Sequence, residues 1–324
     1  MTFALPDHWV WDFWFADDGE RFHLYYLHAP KSLVDQHLRH RNARIGHATS
    51  VDLVRWIDHG PVLEPGGPGD FDQTATWTGS VLQGTDGIWR MFYTGTRFLS
   101  PDSTANVETI GLAKSADLHN WIKAPLPIIA ADGRWYERLG DSIWPEEAWR
   151  DPWVFADPAG AGWHMILTAR ANEGDELDRG VIAHAQSTDL DTWEVLAPLS
   201  HVGAGFKHLE VPQIVSIDGR TLLLFSCDTS ALTGARADTH QTGGIWALEP
   251  TSPLGPYNAE DAYLIADERL YSGRVIQNRD GEWMMLAFEN VTGDGGFGGV
   301  LSDPLPIAWG ATGLIERLDT AALS

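Results

Sequence analysis

The sequence predicts an all-β fold, a five-bladed β-propeller with four antiparallel strands in each blade. A motif of the form Ser-x-Asp-Leu-x-x-Trp occurs at residues 50–56, 115–121 and 187–193, with spacings of 65 and 72 residues. Glycine-containing turns followed by aromatic or apolar segments recur with it, and helical periodicity over more than about ten residues is nearly absent. Repeated four-strand units around a central channel are the propeller architecture.

Each repeat presents its elements in the same order. An apolar strand leads to a turn glycine, which is Gly19, Gly87, Gly160, Gly219 or Gly281. A second strand follows at once, and Asp-Gly between such segments is a strong hairpin signal. A third strand of small residues, as at 45–49, leads to the repeated Ser-to-Trp turn and a fourth strand. The blades are expected to begin near Trp9, Thr76, Trp149, His208 and Leu270, within one domain over 1–324.

Composition and charge narrow the function classes. Forty-five acidic residues against 22 basic residues give a net charge of −23, which repels nucleic acid and anionic membranes. The single cysteine, Cys227, excludes an internal disulfide framework and a thiolate metal cluster. No apolar run reaches the ~18 residues of a membrane span, and the N-terminus lacks the basic segment of a signal peptide. We therefore expect a cytoplasmic protein with a small-molecule partner, and with neither a nucleic-acid nor a membrane partner.

Aligning the predicted blades brings three acids to one end of the channel. Counting back nine residues from the turn glycine gives Thr78, Asp151, Glu210 and Ser272 in blades two to five. In blade one, where we expect a shorter first strand, Asp12 stands seven residues before Gly19. The three acids lie in apolar sequence, where an acid is costly unless it is paired or functional. Strand capping or pairing with Arg150 would explain one of them, whereas three at related positions indicate the paired carboxylates of glycoside hydrolysis.

Two neighbours of these acids are candidates for sugar contacts. His208 stands two residues before Glu210, hence on the same strand face, where it would contact sugar, tune the acid or pack in the core. Trp77 lies beside the predicted channel entrance and is a candidate sugar-facing aromatic, with core packing as the alternative.

Short motifs spread over the whole chain carry a resemblance to a known family. The first two are Trp-Asp-Phe-Trp at 11–14 and Gly-His-Ala-Thr-Ser at 46–50. The second resembles a motif of glycoside hydrolase family 32, and the first resembles the nucleophile region in the form closest to family 68. The segment 76–80 with Tyr-Thr-Gly at 93–95 is similar to the Ser-Gly-Ser blade. Trp-Arg-Asp-Pro at 149–152 resembles the Arg-Asp-Pro motif, and Glu-Val-Pro at 210–212 the Glu-Cys-Pro motif.

This resemblance implies a retaining hydrolase of β-fructofuranosides, such as sucrose or short fructo-oligosaccharides. It makes Asp12 the nucleophile, Glu210 the general acid/base and Asp151 the transition-state stabiliser. The expected substrate-binding residues are Trp11, Trp77, Ser80, Arg150 and His208. No cofactor, no metal and no C-terminal β-sandwich of the kind usual in family 32 are expected. The chain also has Leu27 where the family usually has glutamine.

Three alternatives stay open at this point. A family 43-like inverting arabinofuranosidase, xylosidase or arabinanase would use Asp12 as general base. A fructosyltransferase would pass the sugar to a second sugar, and a glycan-binding propeller would have no activity. Two weaker metal signals accompany them: calcium in the acidic loop 172–178, and a metal at His37 and His40, whose basic segment we expect to be a mobile loop over the pocket mouth.

Overall fold

The computed structural model describes residues 3–239 and 241–318 and confirms the five-bladed β-propeller. Each blade is a meander of four antiparallel strands paired in chain order. The first strands of the five blades begin at His8, Ala75, Trp149, Glu210 and Leu270. No helix in these two ranges is long and apolar enough to cross a membrane.

The strands of the blades have the following bounds. Blade one contains β1 (His8–Asp17), β2 (Phe22–Pro30), β3 (Arg44–Ser50) and β4 (Ile57–Leu63). Blade two contains β5 (Ala75–Gln83), β6 (Trp89–Phe98), β7 (Asn106–Ser115) and β8 (Ile122–Lys123), and β9 (Glu146–Glu147) pairs with β7 in parallel. Blade three contains β10 (Trp149–Ala156), β11 (Trp163–Arg170), β12 (Gly180–Ser187) and β13 (Glu194–Leu196). Blade four contains β14 (Glu210–Ile217), β15 (Arg220–Cys227), β16 (Gly244–Leu248) and β17 (Tyr263–Asp267). Blade five contains β18 (Leu270–Gln277), β19 (Trp283–Glu289), β20 (Leu305–Trp309) and β21 (Ile315–Arg317).

The helical segments of the described chain are short. One α-helix, α1, spans Gly234–Asp238, and 3₁₀ segments span Lys31–Leu33, Gln36–Asn42, Thr229–Ala231 and Ala259–Asp261. The basic segment expected to be a loop therefore forms a 3₁₀ helix, in which the Asp35 side chain accepts the His37 N–H at the N-terminus.

The repeated Ser-to-Trp motif forms the same turn between the third and fourth strands of blades one to three. In the first copy, Asp52 accepts the backbone N–H groups of Val54 and Arg55, and the Trp56 indole donates to the Leu53 carbonyl at 3.2 Å. The leucine has a positive φ of 63°, an unusual conformation for a residue other than glycine. It is 1% exposed, and this burial offsets the backbone cost.

Small residues in the third strands make room for tyrosines of the second strands. Tyr26 pairs with Gly46, and a Cβ atom at that glycine would lie 2.3 Å from the tyrosine ring. Blade two repeats the arrangement with Tyr93 opposite Gly111. Many aromatic residues accordingly fill the core between blades, and Trp14 and Trp149 are among the fully buried side chains.

The N-terminal segment closes the ring against blade five. The Leu301 N–H donates to the Phe3 carbonyl at 2.9 Å, and the Val10 N–H donates to the Gly299 carbonyl at 2.8 Å. Closure brings β1 next to β18, so side chains distant in sequence meet at the channel.

Candidate active site

The inner strands of all five blades are interrupted at the same end of the channel. The pairing shifts register around Asp12 in β1, Thr78 in β5, Asp151 in β10, Val211 in β14 and Ser272 in β18. Such bulges re-aim side chains and are frequent next to active sites. Asp151, Val211 and Ser272 also have positive φ values of 59°, 52° and 52°. For a β-branched residue such as Val211 this is a strained conformation.

The counting that aligned the blades is wrong by one residue in blade four. The residue equivalent to Asp151 and Ser272 is Val211, because these three begin the unpaired stretch of their strands. Glu210 stands just before the bulge, at the position that Arg150 and Tyr271 occupy in the neighbouring blades.

Hairpin length explains this error. In blade four Ile217 pairs with Arg220, which leaves a two-residue turn, whereas in blade three the turn runs from Ala156 to Trp163. The expectation of a short first strand in blade one is wrong for the same reason. Strand β1 has 10 residues, and it is the following turn that is short.

Asp12 is held by hydroxyl groups from two other blades. Thr78 Oγ1 donates to Asp12 Oδ2 at 2.7 Å, and the Ser272 hydroxyl donates to Oδ1. Burial raises the pKa of Asp12 above its usual value, and the two hydrogen bonds oppose this rise because they favour the charged carboxylate. The carboxylate is thus oriented on both oxygens without a cation in direct contact among the described residues.

Asp151 lies deeper, and its carboxylate is tied to blade four. Its Oδ2 accepts the Val211 backbone N–H at 3.0 Å and the Thr168 hydroxyl at 2.8 Å. Burial raises the pKa of Asp151 to about 6, with contributions from the negative charges of Asp12 and Glu210 and opposition from Arg150. The left-handed backbone of Val211 therefore serves to point its N–H at this carboxylate.

Glu210 is held between an arginine and a tyrosine. Arg150 Nη2 donates to Glu210 Oε1 at 2.6 Å, and the Tyr271 hydroxyl donates to Oε2 at 2.5 Å. His208 Nδ1 lies 3.3 Å from Arg150 Nη2 and 3.9 Å from Glu210 Oε1. The Glu210 side chain remains 23% exposed, whereas that of Asp151 is 3% exposed, so Glu210 is the more accessible carboxylate.

Arg150 contacts three glutamate side chains. Its Nη1 donates to Glu108 Oε2 at 3.1 Å and to Glu146 Oε1 at 3.2 Å, in addition to the contact with Glu210. Glu108 is fully buried and also accepts the Trp149 N–H at 2.9 Å. Burial raises the pKa of Glu108 to about 8, so Glu146 and Glu210 supply most of the negative charge that offsets Arg150.

Arg274 links the bulged segments of blades one and four through hydrogen bonds. It is fully buried, and its guanidinium donates to the Phe13 carbonyl of blade one and to the Val211 and Pro212 carbonyls of blade four. Its charge also favours the ionised forms of Asp12 and Asp151, since it acts on the carboxylates from inside the channel.

The three acids open into a cavity of about 1230 Å³. Trp11, Trp77, Arg150 and His208 line it, as does the 3₁₀ segment Gln36–Asn42 through residues 36–41. The Trp77 indole donates to the His40 carbonyl at 2.7 Å, so this tryptophan also anchors that segment. Leu27 also lies at this cavity, but it is 1% exposed and adds little apolar surface to the wall.

Ser80 is not brought together with the other predicted substrate-binding residues. It lies two residues beyond the Thr78 bulge, is 3% exposed, and its hydroxyl accepts the Val154 N–H at 3.3 Å. In this position it links the inner strands of blades two and three. Ser80 is not among the residues that line the cavity, and its assignment to substrate binding stays a prediction. Thr78 is the residue of that motif that reaches an acid.

Two of the four acids in the loop 172–178 accept backbone N–H groups. Asp178 accepts the N–H groups of Gly205 and Phe206, and Asp175 accepts that of Leu177. These bonds give Asp175 and Asp178 structural roles, which agrees with the solvated-loop alternative to calcium binding.

Sequence reasoning missed several residues of this site. Thr78 and Ser272 appeared as blade equivalents of the acids, and that position was the signal for their role. No such signal marked Tyr271 and Arg274 of blade five or Glu108 of blade two. Their contacts, with Glu210, Val211 and Arg150 respectively, run between blades.

Comparison with known proteins places the chain among carbohydrate-active enzymes. Residues 13–289 match the model of the glycosyl hydrolases family 32 N-terminal domain. Two curated relatives from Escherichia coli are a sucrose-6-phosphate hydrolase, 29% identical over 69% of this chain and 42% of that protein, and a raffinose invertase, 27% identical over 84% and 52%. The chain thus spans about half the length of these relatives.

A solved structure supports the fold. The inulosucrase from Halalkalicoccus jeotgali bound to kestose superposes with a TM-score of 0.78 at 24% identity, over 97% of this chain and 87% of that one.

Proposed function

Because the chain belongs to glycosyl hydrolase family 32, we propose that it hydrolyses β-fructofuranosides with retention of anomeric configuration. One observation carries the proposal: Asp12, Asp151 and Glu210 meet at one cavity in three different environments. The names of the two relatives, a sucrose-6-phosphate hydrolase and a raffinose invertase, support sucrose or a short sucrose-containing oligosaccharide as substrate. The family match disfavours the family 43-like alternative.

In the first step, an Asp12 oxygen attacks the anomeric carbon and the bond to the leaving oxygen breaks. Glu210 gives its proton to that oxygen, so the leaving sugar departs neutral and a fructosyl ester of Asp12 remains. In the second step Glu210 takes a proton from water, whose oxygen attacks the same carbon and releases Asp12. Water is the only co-reactant that the two steps require.

The other groups stabilise charge and geometry. The hydroxyls of Thr78 and Ser272 keep Asp12 oriented, and Tyr271 with Arg150 keeps Glu210 directed at the cavity. Asp151 supplies negative charge where the sugar ring becomes cationic, and its hydrogen bonds hold it there before substrate arrives. Trp11, Trp77, Arg150 and His208 are the substrate-contacting wall in this proposal.

The test is product analysis on sucrose, kestose, inulin, levan and aryl furanosides of fructose and arabinose. We expect fructose from the fructosides, with the β-anomer as the first product in nuclear magnetic resonance spectra taken before mutarotation. The α-anomer would make Asp12 a general base and contradict retention. Oligosaccharides longer than the substrate would indicate transfer, binding without turnover would indicate a glycan-binding propeller, and cleavage of arabinosides alone would reject the substrate assignment.

Replacement of Ser272 by alanine should move the acidic limb of the pH profile upward. The limb should reflect the coupled ionisation of Asp12 and Asp151, whose pKa values are both raised by burial. Losing a hydrogen bond that favours charged Asp12 raises its pKa further, so the enzyme loses activity at a higher pH as the solution is acidified. A hydrogen bond to a charged group contributes ~1.5–3 kcal/mol, which corresponds to a shift of about one unit or more.

The measurement is kcat/KM against pH for the wild type, Ser272→Ala and Ser216→Ala. Ser216 is an exposed serine of β14 and should leave the limb in place. A limb that stays fixed or moves to lower pH in Ser272→Ala would contradict the role given to this hydroxyl.

The cytoplasmic location expected from the sequence remains a prediction, which cell fractionation can test.

A further inference from the structure

A second cluster of titratable side chains lies at the outer part of blades one and two. One ring nitrogen from each of His47, His59 and His119 lies within 4.8 Å of the other two. His47 is on β3, His59 is on β4, and His119 is in the turn between β7 and β8. None of the three is among the residues that line the active-site cavity in the described chain.

A hydrogen-bonded relay fixes which nitrogen of His47 is free. His23 Nε2 lies 3.2 Å from the Asp18 carboxylate, and His23 Nδ1 lies 2.9 Å from His47 Nε2. The carboxylate requires a proton on His23 Nε2, so in the neutral ring His23 Nδ1 is an acceptor and His47 Nε2 is the donor. His47 Nδ1 is then left with an unprotonated lone pair.

His59 has a similar support. Its Nε2 lies 2.9 Å from the hydroxyl of Thr49, which can accept that N–H and leave Nδ1 with its lone pair. Metal-binding histidines characteristically donate their other ring N–H to a carboxylate, carbonyl or similar acceptor, which fixes ring orientation and tautomer. His47 and His59 have such partners without any metal being invoked.

We propose that His47, His59 and His119 bind one divalent transition-metal ion, zinc in particular, which links blade one to blade two. Three imidazoles without a thiolate suit zinc, nickel and copper(II), and leave a further position for water. Zinc–nitrogen bonds of ~2.0–2.1 Å place ligand nitrogens about 3.4 Å apart in a tetrahedral site. The three rings therefore have to close by a little over 1 Å from the arrangement described.

The surroundings permit this closure. His59 and His119 are exposed, so these two rings can move, whereas His47 is 1% exposed and is held by stacking on Tyr25 at 4.9 Å. Closure requires the His59 ring to turn out of its stack on His47, where the ring centroids lie 5.0 Å apart, and to give up its contact with Thr49.

The local charges favour a cation. Asp18 forms an ion pair with His23. The negative charges of Asp117 and Asp58 interact electrostatically with His47 and His59 respectively, and the positive charge of Arg21 opposes them at His59. The protein's net charge of −23 adds to the attraction.

Blade three provides an internal comparison. His164 Nδ1 lies 2.9 Å from His184 Nε2, and His164 Nε2 lies 3.7 Å from Asp157 Oδ1, so the relay occurs there as well. The described part of blade three and its neighbours adds no further histidines that complete a triad with this pair. The relay is thus a repeated structural device, and blade one differs by the two exposed histidines placed beside it.

Zinc titration of untagged full-length protein, dialysed first against a chelator, tests the proposal. We expect one zinc ion per chain by calorimetry, a higher melting temperature with zinc, and visible absorption bands of tetrahedral cobalt(II) when cobalt is the probe. His59→Gln and His119→Gln should each weaken zinc binding by about 10–100-fold or more, given what loss of even an outer partner costs. Both positions are exposed, so neither substitution should disturb folding.

Two controls separate this site from other zinc binding. His201→Gln removes an exposed histidine elsewhere and should leave the affinity unchanged. The double variant His59→Gln/His119→Gln keeps the relays of blades one and three and should lose the stoichiometric zinc and the cobalt bands. Wild-type protein that takes up no stoichiometric zinc, or a double variant that binds it as the wild type does, would overturn the proposal. Sugar hydrolysis is a separate readout, and its loss or retention does not bear on this result.

Discussion

Asparagine in place of Asp12 is expected to lower kcat on sucrose by about 10⁴-fold or more, because an amide oxygen cannot form the covalent intermediate. The substitution keeps the size and shape of the side chain. One of the two hydroxyls that now donate to Asp12, those of Thr78 and Ser272, can rotate to accept from the new amide group. We therefore expect the fold and melting temperature to be preserved while turnover is lost.

The measurement is kcat of purified Asp12→Asn, with circular dichroism to verify folding. Asp102→Asn is the matched control, because Asp102 is an exposed acid on the wall of the same cavity and its neutralisation should cost little. An Asp12→Asn enzyme that keeps more than about a tenth of wild-type kcat has lost less than ~1.4 kcal/mol of transition-state stabilisation. Asp12 would then not be the nucleophile.

Replacement of Glu210 by glutamine should reduce kcat on sucrose by about 10²–10⁴-fold, the usual contribution of general acid–base catalysis. Glutamine can still accept from Arg150 or Tyr271, which hold the two oxygens of Glu210, but it has no proton to transfer at either step. Glu268→Gln, at another acid of the cavity wall, is the control.

The leaving group distinguishes the two roles. An aryl fructoside with an acidic phenol needs little protonation, so kcat/KM of Glu210→Gln should fall much less on that substrate than on sucrose. Asp12→Asn should be equally impaired on both, since every leaving group requires the nucleophile. Equal losses on the two substrates in Glu210→Gln would contradict the acid role and leave this residue a positioning group for Arg150.

Local sequence was sufficient to predict the blades. The Ser-to-Trp turn is made by contacts within seven residues, in which Asp52 accepts nearby N–H groups and Trp56 donates to Leu53. The same hydrogen-bonded turn is therefore expected wherever the sequence motif recurs. Glycines opposite Tyr26 and Tyr93 follow the same logic, since each pair lies within one blade.

The equivalence of positions between blades was harder to predict. Strand bulges and hairpin turns both change the count, and the two-residue turn after Ile217 moved Glu210 one place from its assumed equivalent. The acids were still found, because the error shifted a residue along one strand end without moving it away from the channel mouth.

By itself the sequence determined the propeller, its order of strands and the three acids, because those depend on periodicity and on short motifs. Only the tertiary structure decided what each acid touches. Asp12 accepts hydrogen bonds from hydroxyl groups of blades two and five, and Glu210 accepts hydrogen bonds from Arg150 and Tyr271. The histidine triad brings together side chains of blades one and two. These contacts join residues up to 260 positions apart. The longest of them, from Ser272 to Asp12, exists because ring closure places β18 beside β1, which no local pattern encodes.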